Sequence, residues 1–584
     1  MTETDKSQPY YSYSRYLTEH YGGPLHRVPI DLGFGCPNRD FDGTGGCTFC
    51  PADGARARQT IHADSIEDQV REAIEFARRR YGAKRFIAYI QAFTGTFAQA
   101  SEQRRTYEQI LGLFPFEAVS IGTRPDCLPT STLDFLEELN QRLEVWVELG
   151  VQTSHDRTLE RINRGHDWGS SEQAILALHQ RGIKVIAHVI LGLPGETASD
   201  FNATAERLAK LPIDGIKVHN LHVISGTQLA QEYQQQPFPL LHEFDYCDHL
   251  IEFLRRIPAH IPMVRVQTDT PDVELVGPQW SMDKGQFLDT LIQHMRWRRY
   301  QQGDLVGDAK ETVIENEAVK TEDGSITFWS SYFKEHYHTT VGARSEAENK
   351  YLSPSAIEER LANTDVRLLD VCFGLGYNTI AACKLAEKLE SGHLHVVALE
   401  IDRGAVGDAA ALTEDPFAKQ ILTALYQDAK YHGEKFSIKI IWGDARHTIE
   451  KLTTGPSFDF IYHDAFSTQK SSELWTVDFF RKEHSVLSKR GKLLTYCASL
   501  PARAGMIEAG FHVGNTPAFG RTRCGTIATI DKTDIELPLE TQEVETIRST
   551  TKGIPFRDPH GTTSNREILR NREQAVTAFK AGQL

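Results

Sequence analysis

Two separate series of short apolar runs, each run followed by a helix-length segment, constrain this chain more than any other feature. The first comprises RVPIDLGF, RFIAYIQAF, EAVSIGTRPD, EVWVELGVQT, KVIAHVILGLPGE and GIKVHNLHVI. The intervening segments are amphipathic at helical spacing; residues 65–81 place Ile66, Val70, Ala73, Ile74 and Ala77 on one face. Six βα units of this kind predict an α/β fold with an open, partial (β/α)6 barrel, its functional groups at the strand C-termini. The second series, VRLLDVCFG, HVVALEID, SIKIIWGD, FDFIYHDAF and GKLLTYCAS, has the pattern of a doubly wound, Rossmann-like domain. Residues 301–325 between them are polar, acidic and aperiodic, which reads as a linker. Domains at 1–300 and 326–584 follow, since 584 residues are too many for one core.

The net charge of −15 is spread over both halves, so neither is a strongly basic nucleic-acid module. An RNA partner would have to be held by a local basic patch, because phosphate contacts need cations whatever the overall charge. The first residues lack the design of a signal peptide. No run of about 18 apolar residues offers a membrane span. Three of nine cysteines are clustered, which fits a reducing, cytoplasmic location with the cluster binding metal.

Those three are Cys36, Cys47 and Cys50, in a glycine-rich loop (CPNRDFDGTGGCTFC) just after the first strand. A four-iron cluster held by three thiolates keeps one iron open for a ligand, whereas electron-transfer clusters normally close all four sites. A zinc site completed by His62 is the alternative, but a zinc ribbon would not sit at the mouth of a six-strand barrel. Phe49 before the last cysteine, YIQAFTGTFA, IGTRPDCL, INRGH, AHVILGLPGET and DGIKVHNLHV together resemble the radical S-adenosylmethionine (SAM) superfamily. The ten residues between Cys36 and Cys47 are wider than that family's commonest gap; the spacing is similar to the Elongator-type branch and the YhcC/YtqA group. The resemblance spans about residues 10–300. It implies a [4Fe-4S] cluster whose open iron chelates SAM, one-electron cleavage of the sulfonium by an external donor such as flavodoxin or ferredoxin, and hydrogen abstraction from substrate by the 5′-deoxyadenosyl radical. Gln91 and Thr94 near the methionine moiety, Thr123 and Arg124 near the ribose and carboxylate, and Glu148 and Gln152 further round the barrel are the cofactor contacts expected. His219 and His222, with His188, alternate on strands and line the expected substrate cavity.

In the second half, LLDVCFGLGYNT places Asp370, Gly374 and Gly376 at a strand-to-helix turn, with Cys372 where glycine is commoner. The following strands end in Glu400, suited to ribose hydroxyls, in Asp444, suited to an adenine amino group, and in Asp464, where a methyl acceptor would lie. Four acidic strand ends favour a class I methyltransferase with its own SAM over a nicotinamide enzyme. YFKEHYHTTVGARSEAENKYL, DAFSTQKSSELWT, AFGRTRCGTIA and GIPFRDP resemble the MnmC methyltransferase domain, over about residues 325–575. That resemblance implies N-methylation of 5-aminomethyluridine at the wobble position of a tRNA anticodon loop. Asp464 would take the amine's proton, Phe466 and Trp475 would wall the base, and Arg521, Arg523 and the basic C-terminal tail would meet phosphate.

The better-known MnmC arrangement pairs this methyltransferase with a flavin oxidase, and no flavin-binding GxGxxG occurs here. A radical domain stands in its place. The expectation is a bifunctional enzyme that converts 5-carboxymethylaminomethyl-uridine to 5-aminomethyl-uridine and then methylates it. A radical SAM and methyltransferase pair acting on a small biosynthetic substrate is the alternative, for which the overall acidity speaks.

Overall fold

The structure is a computed structural model describing residues 8–40, 44–54, 63, 65–268, 270–271, 273–307, 318–330, 332–339, 341–519 and 523–582. It divides into two compact units.

In the first unit the six expected runs form parallel strands β1 (His26–Ile30), β2 (Phe86–Ile90), β3 (Ala118–Thr123), β4 (Glu144–Gln152), β5 (Lys184–Leu191) and β6 (Gly215–Asn220). A seventh parallel strand, β7 (Met263–Arg265), extends the sheet beyond six, in sequence order from β1 to β7. Three residues are too few to carry a periodic signal, which is why the sequence shows six. The strands are buried almost throughout, as continuous apolar runs in a helix-covered parallel sheet should be. Helix α1 (Ile66–Tyr81) is capped by Ser65, and buries Val70, Ala73, Ile74 and Ala77, the face expected from its spacing.

The second unit holds an eight-stranded sheet. Its members are β8 (Val366–Val371), β9 (Leu394–Glu400), β10 (Lys430–His432), β11 (Phe436–Trp442), β12 (Phe458–His463), β13 (Leu487–Thr495), β14 (His512–Phe519) and β15 (Arg523–Thr529). The order is β10-β11-β9-β8-β12-β13-β15-β14, with β11, β9, β8, β12 and β13 parallel. The strand order reverses at β8, so ligands are expected at the carboxyl ends of β8, β9 and β12.

The unit boundaries differ from the sequence reading. Helix α2 (Lys284–Trp297) packs with the second unit, which comprises residues 285–298 and 315–584. Its Trp297 stacks on Phe328 with ring centroids 4.6 Å apart. Its His294 and the following Arg298 both bind the fully buried Asp408, at 2.6 and 2.7 Å. Residues 301–307 belong to the first unit, and 308–317 of the expected linker lie outside the described residues. Among the described residues no helix is long and apolar enough to cross a membrane.

Candidate active sites

The loop after β1 carries Cys36, Cys47 and Cys50, all free thiols. It folds back on itself through a bridge between Arg39 and Gly45, and through the Gly46 N–H donating to the Asn38 carbonyl at 2.6 Å. Gly46 has φ +93°, a conformation that disfavours other residues. The segment 162–166 holds this loop from the other side. Ile162 accepts from the Thr48 N–H, and the Asn163 amide donates to the Gly46 carbonyl. Arg164 Nη1 stands 3.3 Å from Cys47 Sγ, and Arg39 Nη2 stands 3.4 Å from Cys50 Sγ. Burial pushes the Cys50 thiol up while Arg39 works against that rise, so it is ligation to a metal that would draw off the proton. Among the described residues no three of His, Cys, Asp or Glu lie close enough to share one ion. A cluster that spreads its ligands over separate irons asks for no such convergence.

Several expected cofactor contacts carry buried polar atoms with no partner among the described residues: Thr94 Oγ1, Arg124 Nη1 and Gln152 Oε1. Arg124 is fixed by a two-pronged pair with Asp126, at 2.9 and 2.7 Å, which leaves Nη1 over. Burying such groups unpaired costs about 1–3 kcal/mol each, so their convergence at strand ends suits a polar ligand. The donor set therefore fits the cluster and SAM that the resemblance implies. Gln91 follows β2 and is half-buried. Thr123 is turned inward, within 2.6 Å of the Thr96 hydroxyl.

Glu148 departs from the expectation. It lies in the middle of β4, where it accepts from Lys217 at 3.0 Å, Tyr89 at 3.0 Å and Ser120 at 3.2 Å. Burial works against its charge, but Lys217 and Arg27 outweigh burial and hold the carboxyl down at about 2. Its oxygens serve this ion-pair network in the barrel interior, below the strand ends where a cofactor would bind. His222 has both ring nitrogens engaged, with Asn220 at 2.7 Å and Thr270 at 2.8 Å. His219 packs against His188, centroids 4.2 Å apart.

In the second unit the turn after β8 is built for close backbone approach. Gly376 has φ +81°, and a Cβ there would sit 2.7 Å from the Phe373 ring. Cys372, where glycine is commoner, adopts φ +67°, a strain of order 1 kcal/mol for a residue with a Cβ. Glu400, at the end of β9, accepts the Gly374 N–H at 2.7 Å, joining two of the expected cofactor residues. Asp370 is fully buried, accepts the Thr379 hydroxyl, and leaves Oδ1 unpartnered. Burial pushes Asp370 up to about 8 and Glu400 to about 7. Glu473, which the sequence reading missed, is likewise pushed by burial to about 7. Asp370 and Glu400, raised first by burial and with Glu400 adding to the rise at Asp370, suit a cationic ligand, as a sulfonium with its ammonium group is. Asp444 is less open: Arg446 takes both its oxygens, Oδ1 from Nε at 3.2 Å and Oδ2 from Nη2 at 2.7 Å.

Asp464 follows β12. Tyr351 donates to one of its oxygens at 2.6 Å and the Asn378 amide to the other at 2.8 Å. Burial, then the charge of Asp464, pushes the Tyr351 phenol well up, which keeps it a proton donor to that carboxylate. Phe466 is partly exposed and stacks on Phe333, centroids 4.1 Å apart, with Tyr337 edge-on at 5.0 Å. Trp475 does not wall a base. It is fully buried, and its indole N–H donates to the Phe466 carbonyl at 2.7 Å, so it fixes the backbone that presents Phe466. Arg521 and the side chain of Arg523 lie outside the described residues. Of the basic tail, Arg566 is exposed, Arg557 pairs with Glu508 at 2.7 Å, and Arg572 lies over the Phe556 ring.

The radical SAM superfamily profile matches residues 30–208, and the Radical_SAM C-terminal domain profile matches 213–296. YtqA of Bacillus subtilis is 37% identical over 297 residues, 50% of this chain and 92% of that protein. This chain belongs to the radical SAM superfamily. YhcC of Escherichia coli is 38% identical over 266 residues, 45% of this chain and 85% of that protein, so this radical SAM protein falls within their group. Its second half matches an S-adenosyl-L-methionine-dependent methyltransferase profile over 410–531. The tRNA 5-methylaminomethyl-2-thiouridine biosynthesis bifunctional protein MnmC of Cupriavidus necator is 25% identical over 207 residues, 33% of this chain and 31% of that protein. This radical SAM protein is therefore fused to an MnmC-like methyltransferase domain, and is an enzyme with SAM-dependent activity.

Proposed function

We propose that the chain modifies the wobble uridine of tRNA in two steps. The first unit removes the carboxymethyl group from 5-carboxymethylaminomethyl-uridine to give 5-aminomethyl-uridine. The second N-methylates that amine to 5-methylaminomethyl-uridine. The observation that carries this reading is the joining, on one chain, of a three-cysteine barrel site to a methyltransferase domain in which the Asp464 carboxylate is held by Tyr351 and Asn378, two residues before the partly exposed Phe466.

An iron–sulfur cluster, when bound at Cys36, Cys47 and Cys50, supplies the electron for reductive cleavage of SAM. Arg39 and Arg164 balance charge at the sulfurs, and Thr94, Arg124 and Gln152 offer unpaired polar atoms to hold the cofactor. In the second unit the amine arrives largely as an ammonium ion, which has no lone pair for methyl transfer. Asp464 accepts its proton, while Tyr351 and Asn378 hold the carboxylate so that its remaining lone pairs face the amine. Phe466 and Phe333 offer a stacking surface for an unstacked anticodon base. A cytoplasmic setting and a flavodoxin- or ferredoxin-like reductant complete the reading.

Purified protein, reconstituted anaerobically and given SAM, a reductant and tRNA bearing 5-carboxymethylaminomethyl-uridine, tests it by mass spectrometry of digested nucleosides. The aminomethyl and then the methylaminomethyl nucleoside should accumulate in that order. An unchanged nucleoside profile rules the reading out.

A further inference from the structure

Two cations of the first unit, Lys217 and Arg265, differ in how they are balanced. Lys217 is neutralised by Glu148 at 3.0 Å, deep in the barrel. Arg265, at the end of β7, has no such partner. Among the described residues it makes no ion pair, and its one polar contact is Nη1 at 3.5 Å from His219 Nε2. It is only partly exposed, so solvent does not fully satisfy it. Among the described residues, His188 Nε2 and the Oε1 of the buried Gln267 have no partner. His188 and His219 are in ring contact, and burial together with the charges of Lys217, Arg265 and Arg164 keeps His188 neutral. Arg164 is the side chain that touches Cys47. Arg265, His219 and His188 thus form one cluster within the first unit.

We infer that Arg265, with His219 and His188 beside it, binds the carboxylate of the substrate's N-linked carboxymethyl group and so selects the nucleoside to be cleaved. The inference rests on the proposed first reaction. A guanidinium fork matches a carboxylate in two-pronged geometry, and the pairing is strongest where water is excluded. SAM also carries a carboxylate. The sheet order separates the two claims on Arg265: the cysteine loop follows β1 at one edge and Arg265 ends β7 at the other, five strands between them. The methionine carboxylate is expected on the side of the cysteine loop and Arg124, toward β1–β3, and the substrate's at the β7 edge.

The test uses full-length, cluster-loaded protein with Arg265→Met and Arg265→Lys. Two tRNAs are compared in binding assays, one bearing 5-carboxymethylaminomethyl-uridine and one bearing 5-aminomethyl-uridine, with SAM affinity and iron content measured alongside. Wild type should bind the carboxylated tRNA more tightly, roughly tenfold or more for a charged two-pronged contact. Arg265→Met should erase that preference while its iron content and SAM affinity stay at wild-type levels, and Arg265→Lys should recover part of it. An Arg265→Met variant that keeps the preference overturns the assignment, as does one that loses SAM affinity instead, which would give Arg265 to the cofactor. Loss of iron in both variants would likewise overturn it, by making the residue structural. If wild type converts the carboxylated nucleoside yet shows no preference in binding, the clamp alone fails; if wild type converts nothing, the proposed reaction fails first.

Discussion

Asp464→Asn should leave a protein that exposes the aminomethyl group and cannot methylate it. The asparagine keeps the size of the side chain and can still meet Asn378 and Tyr351, but it cannot take a proton from the ammonium ion. Loss of a positioned proton acceptor costs about 10²- to 10⁴-fold in rate. Nucleoside mass spectrometry on tRNA treated with the variant should show 5-aminomethyl-uridine accumulating, with the methylated product down by that factor. The radical step uses cysteines and barrel residues of the other unit, so its rate should be unchanged. Loss of both steps together would make Asp464 a structural residue. Tyr351→Phe gives a graded version. It removes the 2.6 Å hydrogen bond and leaves the carboxylate in place, so methylation should fall by less than in Asp464→Asn.

Arg298→Met should destabilise the methyltransferase unit by about 3–5 kcal/mol, the usual cost of stripping one partner from a buried ion pair. Asp408 is wholly buried, and Arg298 and His294 reach it from the segment that joins the two units in sequence. Thermal unfolding of the second unit, followed with SAM absent, is the measurement; a shift close to zero would mean that Asp408 finds other partners. The same cluster fixes a pH dependence. Burial opposes the charged form of His294, but Asp408 and Asp402 outweigh it and raise its pKa above the ordinary histidine value. A group whose folded pKa is raised contributes stability that is fully present below its unfolded pKa and is lost as pH rises through the folded one. Asp370 and Glu400, pushed to about 8 and 7, act in the same direction between about pH 4 and 8, because the folded state keeps protons that the unfolded chain has released. The SAM-free second unit should therefore be more stable at pH 6 than at pH 8. SAM should stabilise it more at the higher pH, where its positive charge meets ionised carboxylates.

What could be read from the sequence was what lies close together along it. The three cysteines share one loop, the glycines of the β8 turn lie within a few residues, and each acidic strand end follows its own apolar run, so pattern alone located them. The residues that complete the sites come from far along the chain. Asn163 and Arg164 reach the cysteine loop from more than a hundred residues away, and Tyr351 meets Asp464 across a similar gap. Only the fold brings these together. Glu148 and Trp475 show the converse limit. A carboxylate on a strand and a tryptophan after a strand look available in one dimension, yet one is neutralised by Lys217 and the other is fully buried beneath Phe466. Helix α2 lies within the 1–300 span read from the sequence yet packs with the second unit, for a similar reason. Its amphipathic pattern shows that one face is buried but not which core buries it, and Asp408, the partner of its His294, lies 114 residues further on.

The proposed first reaction depends on an iron that three thiolates leave open. Electron paramagnetic resonance of the reduced, anaerobically reconstituted full-length protein, recorded with and without SAM, tests it most directly. The expected result is an iron–sulfur signal whose shape changes when SAM is added, lost in Cys47→Ala. Zinc in place of iron, or an iron signal indifferent to SAM, would contradict it.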